Sequence, residues 1–249
     1  MRTCLGLAAL AALGLATVSY GALPSITGVG GHGGTEGGGA RDALYSIDNG
    51  TAEDSVGFGP AGTGNDLVWM NTFPKVAGAE KITTISVAYG TPAFPGGATN
   101  GTPVRILLYN DPDGGSPQNA VLLVDFPGVV AGANTNTFIT YDIPDTVIAS
   151  NTLVAGVLMA NSLGATNPYP CALDTDPPAE AQRSFIGFGA ANTVNPANLG
   201  ALGGNFLAEE AIAPGNWLIR ANGVAVPEPT SLGLVGLGAS MLVARRRRA

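Results

Sequence analysis

Short apolar segments separated by polar, turn-forming residues fill the middle of this chain. Several segments alternate, as in Ile85, Val87 and Tyr89, which a β-strand places on one face. Segment 152–160 is instead apolar on both faces, as is typical of a central strand. The pattern predicts strands at 44–47, 55–58, 67–73, 82–89, 104–109, 121–126, 137–143, 152–160, 184–188 and 217–221.

Turn signals lie between these segments. Asn, Asp, Gly and Pro, which suit the dihedral angles of tight turns, cluster at 49–50, 92–97, 110–117, 134–136, 167–170 and 177–178. No long stretch between the termini shows a sustained helical period. We therefore predict an all-β domain over residues 41–222, built as a two-layer β-sandwich of jelly-roll type.

The N-terminal end follows another pattern. Arg2 precedes an apolar stretch at 4–18, and the small residues Ser19 and Gly21 stand just before Ala22. This order predicts a helical signal peptide over residues 1–21 and hence export. Residues 22–40 include the run GVGGHGGTEGGG, whose composition is that of a flexible linker.

The C-terminal end has three parts in a fixed order. A stiff motif comes first, because two prolines hold its backbone extended. An apolar run from Leu232 to Ala244 follows and predicts a short transmembrane helix. Such a helix rises about 20 Å against about 30 Å of hydrocarbon, which suits a temporary anchor. The motif is Val226, Pro227, Glu228 and Pro229. The last part is the basic cluster Arg245, Arg246, Arg247 and Arg248. Because arginines resist crossing a membrane, this cluster predicts a stop on the cytoplasmic side.

Residues 226–249 closely resemble the PEP-CTERM sorting signal of Gram-negative bacteria. In that family a membrane peptidase, exosortase, recognises the Pro-Glu-Pro motif and removes the tail. The resemblance implies the export machinery and exosortase as partners, with an intermediate anchored in the inner membrane and then delivery to the cell surface or the extracellular space. The family's association with exopolysaccharide and biofilm matrix suggests a structural, adhesive or glycan-binding role.

Charge narrows the class of partner. The chain has 11 basic and 18 acidic residues. The terminal segments hold Arg2, the four tail arginines and Glu228, so the exported body keeps six basic and 17 acidic residues, a formal charge of −11. This balance disfavours nucleic acids and anionic membrane surfaces as partners, and it is compatible with cations.

Few residues are suited to catalysis, and we predict that the protein is not an enzyme. The one histidine, His32, lies in the glycine-rich linker, where it is poorly placed for a catalytic triad or a zinc site. The alternative is a secreted glycan-active hydrolase with two carboxylates. Trp69 and Trp217 could form a platform on which a sugar stacks, or they could pack in the core. Their positions within predicted strands favour the core. Removal of the signal peptide leaves Cys171 as the one cysteine of the sequence. It is either a buried thiol or the site of an intermolecular link.

Two acidic loops are candidate calcium sites. Asp111 and Asp113 alternate in the run DPDGGS, where carboxylates and carbonyls suit calcium. Leu122 stands where an EF-hand has its bidentate glutamate, so the sequence favours a hairpin turn, no cofactor, and little or no stabilisation by calcium. Asp174 and Asp176 form the weaker second candidate, and a solvated loop is again favoured there.

Overall fold

The computed structural model describes residues 43–59, 64–160, 166–176 and 180–226. These ranges contain thirteen strands and three short 3₁₀ helices, so the protein is mostly β and the predicted all-β class is confirmed at that level. The 3₁₀ helices are Pro117–Asn119, Leu199–Asn205 and Glu209–Ala211. The strands are β1 Ala43–Tyr45, β2 Asp54–Val56, β3 Asn65–Pro74, β4 Lys81–Val87, β5 Pro103–Asp111, β6 Val121–Val129, β7 Ile139–Val147, β8 Thr152–Met159, β9 Cys171–Asp174, β10 Ser184–Ala190, β11 Phe206–Ala208, β12 Asn216–Trp217 and β13 Ile219–Val224.

The largest sheet has six strands in the order β11-β10-β3-β8-β5-β6. Strand β8 lies near its middle, antiparallel to both β3 and β5, and all its residues are buried. The apolar pattern at 152–160 therefore predicted a central strand correctly. Strand β6, at the edge, shows the opposite pattern, with alternating exposed and covered residues.

Two smaller sheets complete the fold. A four-stranded sheet has the order β1-β13-β4-β7, and a three-stranded sheet has the order β12-β9-β2. In the four-stranded sheet Ala43 pairs with Gly223, so the first and last strands of the described region are direct neighbours. The predicted segment 217–221 is split between β12 and β13, which belong to different sheets.

One main core joins the sheets. The six-stranded sheet contributes Trp69 and Ile106, and the four-stranded sheet contributes Ile85 and Ile219 to the same buried cluster. The outer face of the six-stranded sheet carries a second apolar cluster, in which Val68 and other strand residues pack with Leu199 and Phe206. This cover explains why β3 and β8 are buried on both faces. The multi-sheet β fold is established, and the jelly-roll sandwich stays a prediction.

Local chemistry explains the sharpest turns. Asn134 and Asn136 adopt φ of 61° and 59°, the left-handed region that asparagine tolerates better than most residues. At Gly57 an added Cβ would lie 2.1 Å from the carbonyl oxygen of Pro168, so only glycine fits this close backbone approach. The predicted signal peptide at 1–21, linker at 22–40 and apolar run at 232–244 lie outside the described residues.

Candidate functional site

Three carboxylates converge where strands β2 and β9 pair. We call Glu53, Asp174 and Asp176 the acidic cluster; one oxygen from each lies within 4.8 Å of the others. Antiparallel pairing sets Asp54 opposite Leu173, which brings the start of β2 against the end of β9. The sequence predicted Asp174 and Asp176 as a candidate pair but missed Glu53, which joins them only through this pairing.

Backbone amides already bind the acidic cluster. Asp174 accepts hydrogen bonds from the amide of Asn49 at 2.6 Å and the amide of Asp176 at 3.0 Å. Glu53 Oε2 accepts the amide of Thr175 at 3.0 Å. These donors stabilise negative charge and hold the loop in shape, so the cluster has a structural role without any cation.

Two carboxyls at or beside the acidic cluster, those of Glu53 and Asp48, have raised pKa values. Burial raises the pKa of Glu53, and the charges of Asp174 and Asp176 raise it further against the Thr175 hydrogen bond. Nearby, the fully buried Asp48 carboxylate pairs with Arg220, whose Nη2 lies 2.6 Å from Asp48 Oδ1. Burial still raises the pKa of Asp48, and Asp174 adds to that rise.

The other predicted carboxylate pair lies in the loop that joins β5 to β6. Asp111, the last residue of β5, is only 1% exposed, whereas Asp113 is exposed. The amide of Asp113 donates to Asp111 Oδ1 at 3.4 Å, and Asn119 Nδ2 donates to Asp113 Oδ2 at 2.8 Å. Burial raises the pKa of Asp111 to about 6, and the neighbouring Asp113 carboxyl contributes to the rise.

Both tryptophans belong to the core. Trp69 and Trp217 are fully buried, so neither offers a surface to a sugar. Trp69 packs edge-on against Tyr89 with ring centroids 6.3 Å apart, and Trp217 Nε1 donates to the carbonyl of Phe185 at 2.9 Å. The core interpretation favoured by their strand positions is therefore confirmed.

The thiol of Cys171 is free and buried. Burial, with a smaller contribution from Glu209, raises the pKa of this thiol well above its ordinary value. A protonated, shielded thiol is a poor nucleophile. Its position therefore favours packing over an intermolecular link.

No helix in the described ranges has the length and apolarity that crossing a membrane requires. Val226 is the last described residue of the sorting motif. Pro227, Glu228 and Pro229, the run from Leu232 to Ala244 and the four closing arginines lie outside these ranges. His32 does as well, so its placement in the linker stays a prediction.

Comparison with solved structures finds three similar chains, and two of them contain Cwp84. One contains the cysteine protease and lectin-like domains of Cwp84, a surface layer associated protein of Clostridium difficile, at 14% identity and a TM-score of 0.48. The other is the clostridial cysteine protease Cwp84 after propeptide cleavage, at 14% identity and a TM-score of 0.47. Each match covers 74% of this chain but only 36% and 40% of the two larger chains. No curated protein sequence matches.

A family profile of the PEP-CTERM protein-sorting motif matches residues 225–248. The match covers the motif, the apolar run and the arginine cluster that the sequence singled out. Such a motif implies processing by exosortase, export and sorting to the cell surface. The chain thus carries the PEP-CTERM sorting motif of an exosortase substrate.

Proposed function

We propose that this chain is a surface or matrix protein whose β domain has a structural, adhesive or glycan-binding role and no catalytic role. The match to the sorting motif at residues 225–248 carries the proposal, because it implies an exported surface protein. During export and sorting its partners are the export machinery and exosortase. After export its partner is exopolysaccharide.

The tail acts before that role begins. The apolar run between Leu232 and Ala244 anchors an intermediate in the inner membrane, and the arginine cluster keeps its end on the cytoplasmic side. Pro227 and Pro229 keep the motif out of helical structure, which leaves Glu228 accessible to a membrane peptidase. Cleavage there frees the β domain from the membrane.

The surface of the β domain suggests where a glycan would bind. Since both tryptophans are buried, other aromatic side chains must supply any stacking platform. Phe94 and Tyr169 lie on neighbouring loops, with ring centroids 5.4 Å apart, and both are only partly buried. A hydrogen bond of 2.9 Å from the Tyr169 amide to the Gly97 carbonyl holds the two loops together. Aromatic faces of this kind pack against the apolar faces of sugar rings.

A glycan array tests the binding role. The full-length chain, purified in mild detergent, is applied with and without calcium. We expect retention of one class of exopolysaccharide and a loss of about tenfold or more in affinity for Phe94→Ala, as for an interface anchor. Val121→Ala, on the exposed edge strand β6, is the matched control and should bind as the wild type does.

The same samples separate binding from hydrolysis. Release of reducing ends from a retained glycan would refute the non-catalytic proposal in favour of a glycan-active hydrolase. Retention without release supports glycan binding. If no glycan is retained or cleaved, the glycan-binding form of the proposal fails and the structural or adhesive form stands.

A further inference from the structure

The loop between β5 and β6 contains a buried carboxylate oxygen without a partner. Asp111 is 1% exposed, and within the described residues its Oδ2 atom has no hydrogen-bond partner. Buried polar atoms are nearly always satisfied, because leaving one unpaired costs free energy. Several buried oxygens lack a partner in the described residues, those of Glu209 among them, so an unpaired oxygen alone does not indicate a ligand. Asp111 lies in addition beside an exposed carboxylate, that of Asp113.

This second carboxylate is held by the loop. Asp113 follows two residues later, and its amide donates a hydrogen bond to Asp111 Oδ1 at 3.4 Å. Asn119 and the amide of Gly115 hold the Asp113 carboxylate in place, at 2.8 Å and 3.2 Å. Neither Asp111 nor Asp113 forms an ion pair; the salt bridges of the described ranges are Lys81–Asp145, Arg105–Asp125, Arg183–Glu180 and Arg220–Asp48.

We propose that this loop binds a calcium ion between Asp111 Oδ2 and the carboxylate of Asp113, with loop carbonyls and water as further ligands. The ion supplies the missing partner of Asp111 and offsets two adjacent negative charges. Asp113 lies on the exposed side of the loop, so the ion keeps a path to solvent.

The chemistry of the loop favours calcium over other common ions. Between Asp111 and Asn119 the side-chain ligands are oxygens, without His or Cys, and this excludes the usual donors of zinc and copper. Gly114, with φ of 71°, and Gly115 make the loop irregular and adaptable. Calcium accepts such variable oxygen geometry, whereas magnesium requires a near-ideal octahedron.

The acidic cluster is the weaker candidate despite having one more carboxylate. Glu53 and Asp174 both accept backbone amides, and no oxygen of the cluster is among the buried atoms left without a partner. The burial of Asp111 is the observation for which we propose an ion here, although the sequence favoured a simple turn. The inference is independent of any glycan-binding role.

Calcium titration of the full-length chain in mild detergent, after treatment with a chelator, tests the site. We expect one equivalent of calcium by isothermal titration and a rise in Tm of about 5–10 °C at a hundredfold excess over Kd. Magnesium should give a clearly smaller rise. Absence of a calcium-dependent rise, or an equal response to magnesium, would overturn the proposal.

Substitutions locate the ion. Asp113→Asn, at an exposed position, should remove both the heat of binding and the rise in Tm while the protein stays folded. Asp111→Asn should do the same, and it should raise the Tm measured without calcium because it removes a buried charge. Asp176→Asn, in the acidic cluster, is the control and should bind calcium as the wild type does. Binding that survives Asp113→Asn and Asp111→Asn but is lost in Asp176→Asn would refute this location.

Discussion

Two nitrogens of Arg220 donate hydrogen bonds to the buried carboxylate of Asp48. Nη2 and Nε lie 2.6 Å and 3.0 Å from Asp48 Oδ1, and the Asp48 side chain has no exposure. The guanidinium carbon also lies 4.2 Å from the centre of the Phe138 ring. Asp48, in the segment between β1 and β2, is thereby linked to β13, the neighbour of β1 in the four-stranded sheet.

Breaking this pair should be costly. Arg220→Met leaves the Asp48 charge buried and uncompensated, so we expect a loss of about 3–5 kcal/mol in the free energy of unfolding. Lys81→Met removes the more exposed ion pair with Asp145 and should cost at most about 1 kcal/mol. Urea denaturation followed by tryptophan fluorescence measures both variants. Equal losses in the two variants would show that the buried pair has no special role.

The β domain should fold without the terminal segments. The described strands run from Ala43 to Val224, and the main core is formed by residues between these limits. A fragment of residues 22–225 should therefore give a far-ultraviolet circular dichroism spectrum dominated by strand and a cooperative thermal transition. A spectrum dominated by helix would contradict the β fold.

Glu209 should make the protein less stable as pH rises. Its side chain is fully buried, and both carboxyl oxygens lack partners within the described residues. Burial raises the pKa of Glu209 well above its ordinary value of 4.5. Above pH 4.5 the unfolded chain loses this proton while the folded chain keeps it, so the stability conferred by the neutral acid is lost as pH rises through the folded pKa.

Glu209→Gln should remove that dependence. We expect a gain of about 1–3 kcal/mol at pH 7–8, little change at pH 4, and a flatter profile between them. Glu210→Gln, at the exposed neighbouring position, should keep the wild-type profile. Thermal unfolding of the three proteins from pH 4 to pH 8 decides, and an unchanged slope in Glu209→Gln would assign the effect to other groups.

The tail should be removed in the native host. We expect a mature form that ends between residues 226 and 230, lacks Arg245 to Arg248 and is free of the membrane. Glu228→Ala, or replacement of Pro227 and Pro229, should leave the longer form membrane-bound, because the motif is lost or becomes able to extend the helix. Intact mass spectrometry measures the end of the chain.

A substitution just outside the motif is the control for processing of the tail. Ser231→Ala, between the motif and the apolar run, should be processed normally. An arginine tail still attached to the surface-exposed form, in a host that has an exosortase, would contradict the assignment.

The sequence predicted most strands because their apolar patterns are local. Each predicted segment overlaps an observed strand, including the doubly buried β8. Strand β9, at Cys171–Asp174, was missed because it is short and lies between turn-forming residues. Its pairing with β2 and β12, not its own pattern, makes it a strand.

The sites were harder to predict than the strands, because they depend on contacts between segments that are distant in the sequence. Asp111 and Asp113 are close in sequence, so their proximity was visible, but the burial of Asp111 depends on packing in the six-stranded sheet. Glu53 joins Asp174 through strand pairing between segments far apart along the chain. The sorting motif was recognisable because all its parts are contiguous.

The pairing of Ala43 with Gly223 has a geometric consequence for a tethered protein. The polypeptide enters and leaves the β domain at one pole, beside the strand that leads to the sorting motif. In the membrane-anchored intermediate that we propose, the domain would be attached to the membrane through that pole. The opposite pole would then face away from the membrane.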